Sequence, residues 1–216
     1  MSSEPGAGQL AEVDKGGNGL ITWLRLGWYP IQLLMYASGI AALSSRNFDA
    51  LRVILTTQVK GDLHSSGMPN VPLIIPVTEA TTEIYNSFKF LPGHERHFVP
   101  RSEYLFTLLQ PPIEDILFLG QSYETHFDEF EVLWALVYAD IKTESPPRGI
   151  WGPPGRFVWK QQRGVDRSPF EQFVKAAQEQ GQNWAALEAG LFKKSPQRFG
   201  EIADAYRGII LQFGYR

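Results

Sequence analysis

The stretch His94-Glu-Arg-His97 is the first whose residue types and spacing suggest chemistry, because two imidazoles in one proline-bounded loop can reach a single metal ion. A protein metal site needs three or four ligands in tight geometry, and the other histidines, His64 and His126, lie in unrelated segments. His94 and His97 are therefore weak metal candidates, read instead as loop hydrogen-bonding groups, and no resident cofactor is expected. On a helical pattern, His126 and Glu129 share a face suited to acid–base work, but the further carboxylate Asp140 lies about four turns away. A charged helix exterior accounts for Glu124, Asp128, Glu129 and Glu131 without catalysis. No phosphate-binding loop, G-x-G-x-x-G, G-x-S-x-G or H-E-x-x-H pattern occurs. The chain has no cysteine, which excludes disulfides, thiolate metal sites and a cysteine nucleophile.

Trp151, Arg156, Phe157, Trp159, Lys160 and Arg163 form the densest cluster, in which aromatic and basic residues alternate within a glycine–proline frame. Exposed, such a segment would stack the bases of single-stranded nucleic acid, or a nucleotide, beside cations. Folded back, the same rings would close over the core as a lid with the cations at its rim. The lid is the preferred reading, because a chain with net charge −3 lacks the broad positive footprint of a nucleic-acid binder.

The elements that must position these residues are helical almost throughout. Ile21 to Trp28 predicts a short helix, and Pro30 suits the first turn of a second one from Ile31 to Ser44. Ala37, Ser38, Gly39, Ala41 and Ala42 let a neighbour approach that second helix closely, which makes it central. Asn47 can cap a helix from Phe48 to Val59. A loop over Lys60 to Pro76 holds at most a short extended piece, Thr78 to Phe90 predicts a helix, and Leu91 to Arg101 is punctuated. Ser102 to Leu109 is helical, is broken by Pro111 and Pro112, and restarts over Ile113 to Leu119. The strongest pattern runs from Tyr123 to Lys142, where Phe127, Phe130, Trp134, Val137 and Ile141 recur every three or four residues. Glu144 to Gly164 reads as a linker or ordered loop with a short strand at Arg156 to Lys160. Ser168-Pro-Phe-Glu171 is a capping box, Asn183 can cap a helix through Leu191, and Ser195-Pro196 opens the last helix, through Phe213.

The predicted fold class is mainly α: an irregular helical bundle or helix-hairpin array with one Pro/Gly/Trp-rich loop and at most a short β-hairpin. With 216 residues, 44% of them hydrophobic, the chain can bury one sizeable core or two small ones. The boundaries read as a flexible arm (1–18), an acidic helical body (19–143), a Pro/Gly/Trp-rich connector (144–166) and basic C-terminal helices (167–216), together one domain. Residues 1 to 141 carry −8 and residues 142 to 216 carry +5, so the halves attract. The first residues lack the basic start and apolar run of a signal peptide. Leu20 to Leu43, the most apolar stretch, is interrupted by Arg25 and Gln32 and broken at Pro30, so no membrane span and a cytoplasmic setting are expected.

Tyr36-Ala-Ser-Gly-Ile-Ala-Ala-Leu followed by Arg46-Asn-Phe-Asp-Ala-Leu resembles a tetratricopeptide-type helix pair over residues 31 to 59, although no second copy follows at the repeat spacing. In a wider pattern, Trp28 to Leu43, Phe127 to Asp140 and Trp151-x-Pro-Pro-Gly-Arg-Phe-Val-Trp resemble a helical accessory region of bacterial conflict or antiviral-defence proteins. That resemblance implies a non-enzymatic interaction or regulatory module partnered by another protein, an effector or nucleotide-binding subunit. Two alternatives stay open. One is nucleic-acid or nucleotide binding through residues 151 to 163, and the other is an enzyme built from dispersed residues. A pocket gathering His126 with several carboxylates would point to the enzyme.

Overall fold

The computed structural model describes residues 19–60, 69–143, 149–161 and 168–213; the predicted arm 1–18, His64 and Arg163 fall outside the described residues. The first helix, α1, spans Gly19–Leu26, and α2 spans Tyr29–Ser44 with Pro30 in its opening turn, where no donor is lost. Arg46 turns the chain out of α2 with φ +54°, and the Asn47 N–H donates back to Ala42 O at 2.8 Å. Asn47 then caps α3 (Phe48–Thr56), its Oδ1 accepting from Ala50 N at 3.0 Å. This helix stops at Thr56 and does not reach Val59. The Thr56 and Thr57 hydroxyls donate to Arg52 O and Val53 O, closing its end. The next residues, Gln58–Lys60 (β1), pair antiparallel with Asn70–Pro72 (β2), Val59 opposite Val71.

Two further boundaries differ from the expectation. Helix α4 spans Ile74–Glu83, starting before Thr78 because Pro76 lies early enough that its missing N–H breaks no helical bond, and Tyr85–Phe90 is a tighter 3₁₀ turn. Helix α5, Pro100–Leu117, runs straight through Pro111 and Pro112. Both prolines and the residues one turn back, Thr107 and Leu108, are exposed, so water can take the carbonyls that lose their donors. Leu109 and Ile113, one turn apart on either side, are buried and hold both halves to the same core.

Helix α6 (Ser122–Thr143) is buried on every side from Phe130 to Asp140, which makes it the axis of the core. It touches α2, α4, α5 and the C-terminal helices. The closest crossing is at Gly39 of α2, where an added Cβ would lie 2.0 Å from the Phe130 ring. That ring is boxed by Tyr36 and Trp134, with centroids 5.2 and 5.6 Å away. Gly39→Ala is therefore expected to destabilise the fold by about 1–2 kcal/mol in urea melts despite alanine's better helix propensity. A variant as stable as the parent would show that the crossing tolerates a methyl group.

Beyond α6, residues 149–161 lie across the body and contain one helical turn, α7 (Phe157–Lys160), where a strand is predicted. An isolated strand here has no neighbour to pair with, whereas the turn satisfies its own backbone, Val158 N–H donating to Gly155 O at 3.1 Å. Helix α8 (Pro169–Gln180) starts at the capping box, the Ser168 hydroxyl accepting from Glu171 N at 3.3 Å. Asn183 caps nothing: Gly181–Asn183 is a 3₁₀ turn, and α9 is only Ala185–Glu188, beginning after Trp184. A 3₁₀ turn at Leu191–Lys194 leads into α10, Pro196–Phe213. The fold is mainly α, with β1 and β2 the only strands among the described residues, and no described helix is long and apolar enough to cross a membrane.

Candidate functional site

Five of the six residues singled out around the tryptophan–proline connector can be placed. Arg156, Phe157 and Lys160 are buried, while Trp151 and Trp159 are half-buried. Phe157 stacks against Phe170 and meets Tyr206, and Trp151 meets Tyr138 edge-on at 5.6 Å. The Tyr206 hydroxyl of α10 reaches back to the connector and donates to Pro153 O at 3.1 Å. The cations turn onto carboxylates of α5 and α6. Arg156 Nε donates to Glu103 at 3.0 Å, its Nη2 to Glu124 at 3.3 Å, and its guanidinium lies 3.6 Å over the Phe106 ring. Lys160 Nζ bonds both Glu124 (2.6 Å) and Asp128, and the Trp159 indole N–H donates to Glu103 at 2.7 Å.

Beneath this ionic layer lies Glu131, which is 3% exposed. Its carboxyl group accepts from the Ser102 hydroxyl (2.6 and 2.8 Å), the Tyr36 hydroxyl (3.1 Å) and the Arg156 backbone N–H (2.7 Å). Burial pushes its pKa up to about 7, against the opposing pull of the Ser102 and Arg156 hydrogen bonds. Burial also raises the Asp128 carboxyl above its ordinary range and outweighs the attraction of Lys160, whereas the Lys160 hydrogen bond holds the more exposed Glu124 below its own. The connector can lie this close because Gly155 and Gly152 carry no side chain: a Cβ would fall 2.3 Å from Glu131 Oε2 or 2.5 Å from Ala135 O.

The acidic face of α6 is thus not the helix exterior that its charges suggest. Asp128 and Glu131 are covered by the connector. A signal was available, because Glu124, Asp128 and Glu131 recur at one-turn spacings, and Arg156 and Lys160 repeat that spacing with opposite charge. Ser102, Tyr36 and Glu103 carried no such mark. Asp140 leaves the group altogether and pairs with Arg198 of α10.

Beside the lid opens a cleft of about 880 Å³ between the first half of α6 and the α8–α9 region. His126, Glu124, Asp128 and Glu129 stand on its α6 side, with Lys160 between. Phe48, Phe173 and Trp184 supply its apolar surface. His126 Nδ1 lies 3.1 Å from Glu129 Oε2. A second depression of about 460 Å³ lies past the start of α3, and Arg46, Phe48 and Ala185 line both. Arg46, in the left-handed conformation that non-glycine residues rarely adopt, stands where the two meet.

His94 and His97 lie apart from this cleft, with rings edge-on at 4.9 Å. Among the described residues no group of three or more histidines and carboxylates is placed to hold a metal ion. No family model matches the chain, and no curated protein or solved structure is significantly similar to it.

Proposed function

We propose that this chain is a helical interaction module that takes a segment of a partner protein into the trough between α6, α3 and α8. The observation that carries this reading is the pair of adjacent cavities with shared lining at Arg46, Phe48 and Ala185, the larger having carboxylates on its α6 side and aromatic rings opposite. A compact metabolite is held by an enclosed pocket, whereas an extended segment needs length, an apolar anchor site and a polar edge. The aromatic side at Phe48, Phe173 and Trp184 suits an apolar anchor, and Glu124 and Glu129 suit a cation beside it. The partner implied by the sequence resemblance is an effector or nucleotide-binding subunit of a defence system, and a cysteine-free chain fits a cytoplasmic setting. Burial of Arg156, Phe157 and Lys160 weighs against nucleic-acid binding through the connector.

Peptides selected from a display library on the purified chain test the proposal. Enriched sequences are expected to pair an aromatic or aliphatic anchor with a nearby Lys or Arg. Ala176→Arg, at an exposed position lining the cleft, should weaken them at least about tenfold while leaving Tm unchanged. No enriched consensus, or peptides indifferent to Ala176→Arg, would sink it. A second reading, an enzyme, draws on the His126–Glu129 pair among carboxylates in the same cleft. Hydrolysis of a substrate from a broad panel that is lost in His126→Ala but kept in Ala176→Arg would favour it.

A further inference from the structure

Arg46 holds a backbone position that suits glycine better. Its φ of +54° lies in the left-handed region, where a Cβ crowds the carbonyl oxygen, and it falls just past the end of α2. Backbone bonds fix it there. Its own N–H donates to Leu43 O at 2.9 Å, and the Asn47 N–H donates to Ala42 O at 2.8 Å. Glycine would make the same two bonds without the strain, so an arginine here comes at a cost in stability.

The side chain returns nothing inside the molecule. Arg46 is exposed, and among the described residues its guanidinium makes no ion pair, hydrogen bond or ring contact. What it has is room, because it lines both the cleft of about 880 Å³ and the depression of about 460 Å³. Among the described residues the one other lysine or arginine in either lining is Lys160, which is already held by Glu124 and Asp128. A guanidinium offers a planar fork of donors that matches the two oxygens of a carboxylate. Carboxylates also line both cavities: Glu124, Asp128 and Glu129 in the cleft, Asp49 and Glu188 in the depression. They oppose a doubly charged phosphate more strongly than a singly charged carboxylate. Because Arg46 borders two cavities, a segment occupying both passes it, which fits an acidic side chain within the segment rather than a terminal carboxylate.

We propose that Arg46 reads an Asp or Glu side chain in the partner segment. The inference rests on the docking reading above and completes its charge pattern. The segment then carries an anion for Arg46, an apolar anchor for Phe173 and Trp184, and a cation for Glu124 and Glu129.

Capped peptides Ac-Trp-(Ala)n-Glu-NH2, with zero to three alanines and in both residue orders, are titrated into the isotope-labelled full chain and followed by NMR, each beside its Gln counterpart. For at least one spacing the Glu peptide is expected to bind about tenfold tighter than its Gln counterpart, shifting the Arg46 and Phe48 amides. Arg46→Gly should remove that preference, leave affinity for the Gln peptide unchanged, and hold Tm level or raise it by about 2–4 °C as strain is released. Arg46→Lys keeps the charge without the fork and should keep about a third of the preference. Peptides ending in a free carboxylate, Ac-Trp-(Ala)n-Gln-OH, separate the sources: tighter binding of these than of the Glu peptides would overturn the assignment to a side chain. Equal affinity of Glu and Gln peptides at every spacing, or a preference that survives in Arg46→Gly, would overturn the proposal and leave the apolar anchor standing. A fall in Tm for Arg46→Gly would mark the side chain as structural and overturn it as well. Binding of no peptide at all would remove both the proposal and the docking reading.

Discussion

Glu131→Leu is expected to lower folding stability by about 3–5 kcal/mol, a fall in Tm of roughly 10–15 °C. Three donors converge on that carboxyl group, the hydroxyls of Tyr36 and Ser102 and the Arg156 N–H; leucine leaves both hydroxyls without that acceptor and the Arg156 N–H with the Ser102 Oγ alone, at 3.0 Å. Glu131→Gln should behave almost as the parent. Its amide oxygen can accept from Arg156 N–H while its two amide hydrogens donate to Tyr36 and Ser102 oxygens; a protonated carboxyl, with one hydrogen, makes one of those donations. Chemical melts of both variants decide the matter; a glutamine variant as damaged as the leucine one would refute the hydrogen-bonding account.

The same residue gives the fold a pH dependence of defined sign. Its folded pKa of about 7 lies above the ordinary 4.5, so over that interval the native state binds more protons than the unfolded chain. The stabilising contribution is complete below the ordinary value and is lost as pH rises to about 7, roughly 3 kcal/mol in all. Glu131→Gln should flatten the stability profile between pH 5 and 7. Glu124, whose pKa is lowered, acts in the opposite sense and in more acid solution, contributing stability that disappears as pH falls.

Asp128→Ala is the second large effect, about 3–5 kcal/mol. It leaves Lys160 and Arg156 buried with only Glu103 and the half-exposed Glu124 as partners. Adding Lys160→Met should return part of the loss, giving a coupling above about 1 kcal/mol in the double-mutant cycle. Strict additivity would mean that the two charges do not depend on each other. Loosening of the connector should appear separately, as altered fluorescence of Trp151 and Trp159 and faster proteolysis within 149–161.

Local signals were legible in the amino-acid order wherever the physics is local. Asn47 and Ser168 cap their helices as their neighbours imply, since a cap is settled within four residues. The stripe from Phe127 to Ile141 marks the axial helix for the same reason. What escaped depends on partners distant in the chain. Gln58–Lys60 is a strand only because residues 70–72 come alongside, and α5 crosses two prolines only because Leu109 and Ile113 face a common core. The connector's rings and cations were visible, but whether they face solvent is decided by Glu103, Glu124 and Asp128, which lie 32 to 56 residues earlier.

The Tyr206 hydroxyl that reaches Pro153 belongs to a residue synthesised 53 positions later. During translation the connector therefore emerges before its Tyr206 contact exists, whereas the carboxylates of α5 and α6, with Phe106 and Tyr138, precede it in the chain. Every ionic partner of Arg156 and Lys160 thus lies earlier in the chain than the connector, and Tyr206 lies later.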